Sequence, residues 1–284
     1  MSAKIRCQLW SNSGDNLVNN FWRKIFFSVI LSGILSACTT TYDAPKFTAS
    51  SASDAPAQSA DAKKRATLRL QLGVSYFQQA QFATALKELT NAINIDPTLS
   101  DAYGVRALVY MQMQETNLAE QDFVRATQLA PNNPDHANNY AWFLCENGKV
   151  KQGLEILDRV MKDRTYAQPA KALNNAGMCS LKLKDDVTAE KYFMQAVRLD
   201  ASNPVSNLNL SRLAYKRQDW ERSQFYINRL IKAENYTPEV LWLAIKSSHK
   251  MNDTLSESSL GAQLRRRFPD SDEYALFQRG AFDE

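Results

Sequence analysis

The sequence contains few of the residues on which most catalytic and metal sites depend. Two His and four Cys occur among 284 residues, which leaves little material for metal coordination or for His-dependent catalysis. Gly and Pro number nine each, far too few for a collagen-like chain. An apolar fraction of 44% excludes a broadly disordered protein, and the length is sufficient to bury a substantial core in one large domain or two small ones.

The chain also has almost no net charge beyond residue 37. The net charge is +4, and residues 1–37 carry +3 of it. Proteins that bind nucleic acid need clustered cations to neutralise phosphates. We therefore expect no nucleic-acid partner.

The apolar run near the start of the chain is too short for a permanent membrane helix. It spans eleven residues, 25–35, after Arg23-Lys24, and has the size of a signal-peptide core. It ends in Leu35-Ser36-Ala37-Cys38, which resembles the bacterial lipobox. The resemblance implies cleavage before Cys38, lipidation of its thiol with fatty acids such as palmitate, and, with Thr39 in place of Asp, transport to the outer membrane. A plain secretory signal with an incidental Cys is the alternative.

The sequence divides into three parts. Residues 1–37 are predicted to be a lipoprotein signal peptide. Residues 38–62 are rich in Ser, Ala, Thr and Asp and have no apolar period, which predicts a flexible tether. Residues 63–284 are predicted to form the folded domain, so the tether would hold that domain near a membrane and let it reach a partner.

A period of 34 residues organises the folded domain. Units begin near residues 66, 100, 134, 170, 204 and 238. Small residues at the eighth, twentieth and twenty-seventh positions let two antiparallel helices approach closely, and a proline ends the second helix. In the first two units the small residues are Gly73, Ala85, Ala92, Ala107, Ala119 and Ala126. This is the spacing of a tetratricopeptide repeat, and it predicts an all-α superhelix of about six helix-turn-helix repeats.

Protein binding is the expected use of such a superhelix, through the concave surface lined by the first helix of each pair. An apolar groove there would mark a partner site, and Asn side chains could bond to an extended peptide. Two alternatives remain open: the tether or a helix before Ala66 covers the apolar set, and the Asn residues bond between repeats. The candidate groove residues are Leu70, Val74, Phe77, Leu108, Met111, Asn138, Trp142 and Asn174.

No catalytic or metal-ligating group emerges from the sequence. His136 and His249 have no metal-ligand spacing around them, and Asp185-Asp186 falls where a solvated turn between helices is expected. A Cys-His nucleophile would require one of the two His residues to approach Cys145 or Cys179. We expect neither an enzyme nor a cofactor.

Cys145 and Cys179 are candidates for a disulfide. They would be the only thiols of a mature lipoprotein, because Cys7 leaves with the signal peptide and Cys38 becomes a thioether. They lie 34 residues apart on the first helices of adjacent units, and the periplasm favours pairing. Two buried free cysteines are the alternative.

Two stretches point to a known family. Residues 138–146, Asn-Asn-Tyr-Ala-Trp-Phe-Leu-Cys-Glu, and residues 264–271, Leu-Arg-Arg-Arg-Phe-Pro-Asp-Ser, are similar to the type IV pilus biogenesis/stability lipoproteins, the PilW/PilF pilotin family. The resemblance implies an outer-membrane lipoprotein that faces the periplasm, binds secretin subunits and helps them to reach the outer membrane and multimerise there. A tetratricopeptide-repeat lipoprotein adaptor for peptidoglycan hydrolases and a β-barrel assembly accessory protein are the alternatives.

Overall fold

The computed structural model describes residues 55–283, with side chains from residue 59 onward. The predicted signal peptide, Cys38 and the first part of the predicted tether lie outside this range. The described residues form thirteen α-helices and no strand, as the repeat pattern predicts. The helices are α1 Ala55–Gln78, α2 Phe82–Ile95, α3 Ser100–Gln112, α4 Thr116–Leu129, α5 Pro134–Glu146, α6 Val150–Lys162, α7 Pro169–Lys182, α8 Asp186–Leu199, α9 Pro204–Lys216, α10 Trp220–Lys232, α11 Pro238–Lys250, α12 Thr254–Arg267 and α13 Asp272–Gln278.

The first twelve helices form six hairpins, and each hairpin contacts the next. The first helices also contact one another, α1 with α3, α3 with α5, α5 with α7 and α9 with α11, so their inward faces share one side of the superhelix. The short helix α13 covers the last hairpin through contacts with α11 and α12. The six hairpins match the six units of the sequence period.

Small side chains occupy the tightest points between helices. Ala85, Ala92 and Ala107 are completely buried. A Cβ added to Gly73 would lie 2.6 Å from Leu89 Cγ, closer than real side chains approach. The close approach inferred from the eighth and twentieth positions is therefore present.

The turn inside each hairpin repeats with the same period as the helices. A residue in the left-handed region ends the first helix at Ala80, Gln114, Gly148, Lys184, Gln218 and Asn252. The step is 34 residues except between Gly148 and Lys184, where it is 36. The two additional residues lie in the loop between α6 and α7, where Tyr166 is buried and its hydroxyl lies 3.2 Å from Asp135 Oδ1.

One predicted boundary is wrong. Helix α1 begins at Ala55, so residues 55–62, predicted as the end of the tether, are helical. Four of the eight residues are Ala, the strongest helix former, and a helix already nucleated in the first repeat extends through such residues readily. Pro56 is no obstacle, because proline is tolerated in the first turn of a helix.

Within the part of the chain that the structure covers, no helix combines the length and the hydropathy that crossing a membrane requires.

Candidate functional site

Half-buried apolar side chains occupy the predicted groove positions on the first helices of the first three hairpins. They are six of the eight predicted residues. We call this set the N-terminal groove: Leu70, Val74, Phe77, Leu108, Met111 and Trp142.

The core of the repeats holds the groove side chains in place. Phe77 lies against the ring of Phe82 with 6.1 Å between ring centroids, next to the buried Ala85 and Leu89. Leu108 and Met111 lie against the cluster that contains Ala107, Phe123 and Phe143. A surface supported in this way is rigid, and an apolar partner can bury it without the cost of ordering it first.

The end of the tether does not fold over the groove within the described residues. Residues 55–65 belong to the same continuous helix as Leu70, Val74 and Phe77, and one helix cannot turn back onto its own face. This removes the alternative in which a separate helix just before Ala66 covers the groove.

Two predicted groove residues, Asn138 and Asn174, do not line the groove. Asn138 is fully buried and accepts a hydrogen bond from Asn175 Nδ2 at 3.1 Å. Asn174 is 6% exposed, its Nδ2 donates to Asn203 Oδ1 at 3.0 Å, and its Oδ1 accepts from the Ser206 hydroxyl. These amide side chains form hydrogen bonds with one another between repeats, because a buried polar group without a hydrogen-bond partner costs free energy. The alternative that the Asn residues bond between repeats is correct.

A disulfide joins α5 and α7 behind this surface. Cys145 and Cys179 are bonded, with their Cα atoms 5.5 Å apart, inside the distance that a disulfide can bridge. The helices come this close because small residues surround the bond: Ala141 and Ala176 are completely buried, and Gly153 lies directly against Cys145.

The inward face has a different chemistry at the other end of the superhelix. Between α9 and α11 lies an open depression of about 260 Å³. Lys246 Nζ lies 5.3 Å from the ring centroid of Tyr215 and 5.5 Å from that of Trp242, and burial lowers the pKa of Lys246. We call this set the C-terminal depression: Arg212, Tyr215, Lys216, Glu239, Trp242, Leu243 and Lys246.

Sequence reasoning missed the C-terminal depression although a signal for it was present. The inward positions of the repeat are roughly the second, fifth, ninth, twelfth and thirteenth. In the first two units they give most of the N-terminal groove. The same positions in the fifth and sixth units give six of the seven residues of the C-terminal depression, all except Leu243.

Comparison with known proteins fits this geometry. The tetratricopeptide-repeat family model matches residues 100–133 and 170–203, which are the second and fourth hairpins. The chain therefore contains tetratricopeptide repeats.

One relative of this chain is named as a pilus assembly protein. The chain is 29% identical over 209 residues to the type IV pilus assembly protein PilF of Pseudomonas aeruginosa, which covers 74% of this chain and 83% of PilF. A solved structure of Pseudomonas aeruginosa PilF matches with 27% identity and a TM-score of 0.67, over 78% of this chain and 99% of that one. The resemblance to the type IV pilus biogenesis proteins is confirmed.

A second pilus protein shares the fold. The crystal structure of PilW, described as a widely conserved type IV pilus biogenesis factor, matches with a TM-score of 0.67 and 24% identity, over 75% of this chain and 98% of that one. At this identity the match concerns the helical architecture alone.

The possible catalytic groups of the tetratricopeptide-repeat domain have structural partners. Both sulfurs of the Cys145–Cys179 pair are bonded, so neither is available as the thiolate of a Cys-His nucleophile. Asp185 caps α8 by accepting from the Thr188 N–H at 3.0 Å, and Asp186 pairs with Lys216. His249 Nδ1 lies 3.0 Å from Glu257 Oε2. Among the described residues, no cluster of His, Cys, Asp or Glu could hold a metal ion.

Proposed function

We propose that this chain is a lipid-anchored outer-membrane protein that binds secretin subunits of the type IV pilus system. In this proposal the N-terminal groove binds part of the secretin, and the anchor carries the complex to the outer membrane, where the secretin multimerises. The observation that carries the proposal is the 29% identity to PilF over 74% of this chain and 83% of PilF. An alignment of 209 residues is far longer than one 34-residue repeat.

The N-terminal groove has the dimensions of a peptide site. It crosses three adjacent helices, and packed helices lie about 8–10 Å apart, so the groove spans roughly 20 Å. An amphipathic helix of about thirteen residues has that length. Such a helix would place its apolar side chains against Phe77, Leu108 and Met111, and burial of apolar surface would drive binding.

The proposed anchor is Cys38, which lies outside the described residues. Sixteen residues separate it from Ala55, where α1 begins. Even fully extended, a segment of that length reaches only roughly 60 Å. A lipid on Cys38 would therefore keep the start of α1 within roughly that distance of the membrane surface, and the groove begins at Leu70, roughly 20 Å further along the helix.

The proposal is tested by measuring binding of the lipidated chain, held in detergent, to the periplasmic part of the secretin. Val74→Thr and Met111→Gln nearly preserve side-chain volume while they place polar atoms in the groove. We expect the double variant to bind at least tenfold more weakly, because the polar atoms would be buried without partners.

The chain offers matched controls for both substitutions. Val187 and Met113 are 64% and 41% exposed on other surfaces, so Val187→Thr with Met113→Gln makes the same chemical changes away from the groove. This control should bind as the unsubstituted chain does. Equal secretin affinity of the two double variants would contradict the proposal.

A further inference from the structure

The residues that follow α13 turn back over the last full hairpin. Gly280 has a φ of 67°, a conformation that glycine adopts without a steric penalty. The N–H of Gly280 donates to Phe277 O, and the N–H of Ala281 donates to Leu276 O, both at 3.0 Å. This turn directs residues 281–283 away from the axis of α13 and onto α11.

Two side chains attach this segment to α11. The ring of Phe282 stacks on His249 with 3.8 Å between centroids, and it lies 5.6 Å from the ring of Trp242. The carboxylate of Asp283 accepts a hydrogen bond from Lys250 Nζ at 2.5 Å. The segment therefore presents an aromatic ring and a neighbouring carboxylate to a face that contains rings and cations.

That face is continuous with the C-terminal depression. Trp242 contributes to both, and Lys246 lies over its ring. Asp283 also interacts electrostatically with Lys246 and Tyr215. The carboxylate thus lies at the edge of the depression, beside two cations, Lys246 and Lys250.

The attachment is of a kind that another chain can replace. Residues 279–283 lie outside any helix, and the Asp283 side chain is 86% exposed. An exposed ion pair contributes little to stability, so the main contact is one half-buried ring. Residues 279–283 contribute no helix or strand whose loss would disturb the hairpins.

We infer that the C-terminal depression, together with His249 and Lys250, is a binding site for a peptide segment that presents an aromatic side chain beside a carboxylate. Phe282 and Asp283 are the intramolecular occupant of this site, and such a peptide displaces them. The aromatic side chain of the ligand stacks between Trp242 and His249, and its carboxylate pairs with Lys250 in the electrostatic field of Lys246. This site differs in chemistry from the apolar N-terminal groove, and it does not depend on the identity of the partner bound there.

The test uses a fluorescein-labelled, amidated peptide with the sequence of residues 278–283 and measures its fluorescence anisotropy with the full chain. In the variant Phe282→Ala/Asp283→Asn the internal occupant has lost both contacts. We expect this variant to bind the peptide at least tenfold more tightly than the unsubstituted chain. Adding Lys246→Gln and Lys250→Gln to it should reduce the affinity at least tenfold again.

Three controls sharpen the result. A peptide in which Ala replaces Phe and Asn replaces Asp should not bind. Lys191→Gln, on the exposed surface of α8, should leave peptide affinity unchanged. The single variant Asp283→Asn keeps the aromatic contact and should show a smaller gain than the double variant, which keeps the test valid if the double variant unfolds.

Other outcomes would overturn the inference. Equal peptide affinity for the unsubstituted chain and the double variant would mean that residues 282–283 do not occupy a peptide site. Affinity that survives the loss of Lys246 and Lys250 would place the peptide elsewhere. Concentration-dependent dimers that disappear in the double variant would show that the face binds the same segment of a second copy.

Discussion

At the scale of single residues, the superhelix depends on positions that accept no larger side chain. A Cβ added to Gly153 would lie 2.5 Å from Cys145 Sγ and 2.6 Å from the backbone oxygen of Ala141. One neighbour belongs to a disulfide and the other to the backbone, so neither can move away easily. Glycine is required here for close approach and not for an unusual backbone conformation.

The first prediction is that Gly153→Ala lowers the free energy of unfolding by about 1–3 kcal/mol, the usual cost of overpacking. Helix propensity alone would make Ala more stable than Gly at this position. The sign of the change in unfolding free energy therefore shows whether overpacking or helix propensity dominates. Urea unfolding followed by circular dichroism measures it. Gly148→Asn is the control, since no atom lies within 4 Å of an added Cβ there and Asn tolerates the left-handed region. Stabilisation by Gly153→Ala would contradict the account.

At the scale of the element, the turn of each hairpin contains one residue in the left-handed region. Only one of these six residues is glycine. The N–H groups after these residues donate back into the first helix, as from Gln81 to Tyr76 O at 2.9 Å and from Asp185 to Ser180 O at 3.0 Å. Lys184 occupies one such position with a φ of 59°. A residue with a Cβ is strained in this region, so these turns are less stable than the same backbone with glycine.

The second prediction follows from this strain. Lys184→Gly should raise the free energy of unfolding by about 0.5–1 kcal/mol, because glycine adopts the left-handed region freely. Lys191→Gly, in the interior of α8, should lower it by about 1 kcal/mol. Thermal and urea unfolding of the two variants measure both changes. Changes of the same sign would refute the role assigned to Lys184.

The third prediction concerns the bond between α5 and α7. The variant Cys145→Ala/Cys179→Ala should lose about 3–4 kcal/mol of unfolding free energy, the entropic contribution of a loop of this length. Urea unfolding with and without reductant measures it, and reductant should affect the unsubstituted chain but not the variant. Identical urea midpoints for the oxidised chain and the variant would exclude a stabilising bond.

The helices were easier to predict from the sequence than the polar contacts. Gly73, Ala85 and Ala92 fix the register of the hairpins, because close helix approach requires small residues at known intervals. The buried bond between Asn138 and Asn175 depends on how two adjacent hairpins rotate against each other, which residue spacing does not specify. The contact of Phe282 with His249 lies outside the repeat pattern altogether, so no periodic argument could have found it.

At the scale of the whole molecule, one superhelix presents two surfaces of different chemistry. The inward face carries half-buried apolar side chains on α1, α3 and α5, and it carries cations and aromatic rings on α9 and α11. The fold alone is compatible with other lipoprotein functions, including recruitment of peptidoglycan hydrolases or assistance to β-barrel assembly. The identity to PilF over 74% of this chain supports a role related to the type IV pilus, and secretin as the partner is our proposal.

The fourth prediction concerns the anchor. Cys38→Ala should give a folded protein that no longer fractionates with the outer membrane and incorporates no labelled palmitate, because the acylated thiol is gone. Cys145→Ala/Cys179→Ala is the matched control and should keep both the label and the membrane fraction. Palmitate incorporation that persists in Cys38→Ala would place the lipid elsewhere.

The most direct test of the central claim is the amount of SDS-resistant secretin multimer in cells that lack this gene. Immunoblots of membrane fractions should show that the multimer is lost in the deletion strain and restored by the unsubstituted chain. The chain with Val187→Thr and Met113→Gln should restore it as well, whereas the chain with Val74→Thr and Met111→Gln should not. An undiminished secretin multimer in the deletion strain would contradict the proposed function.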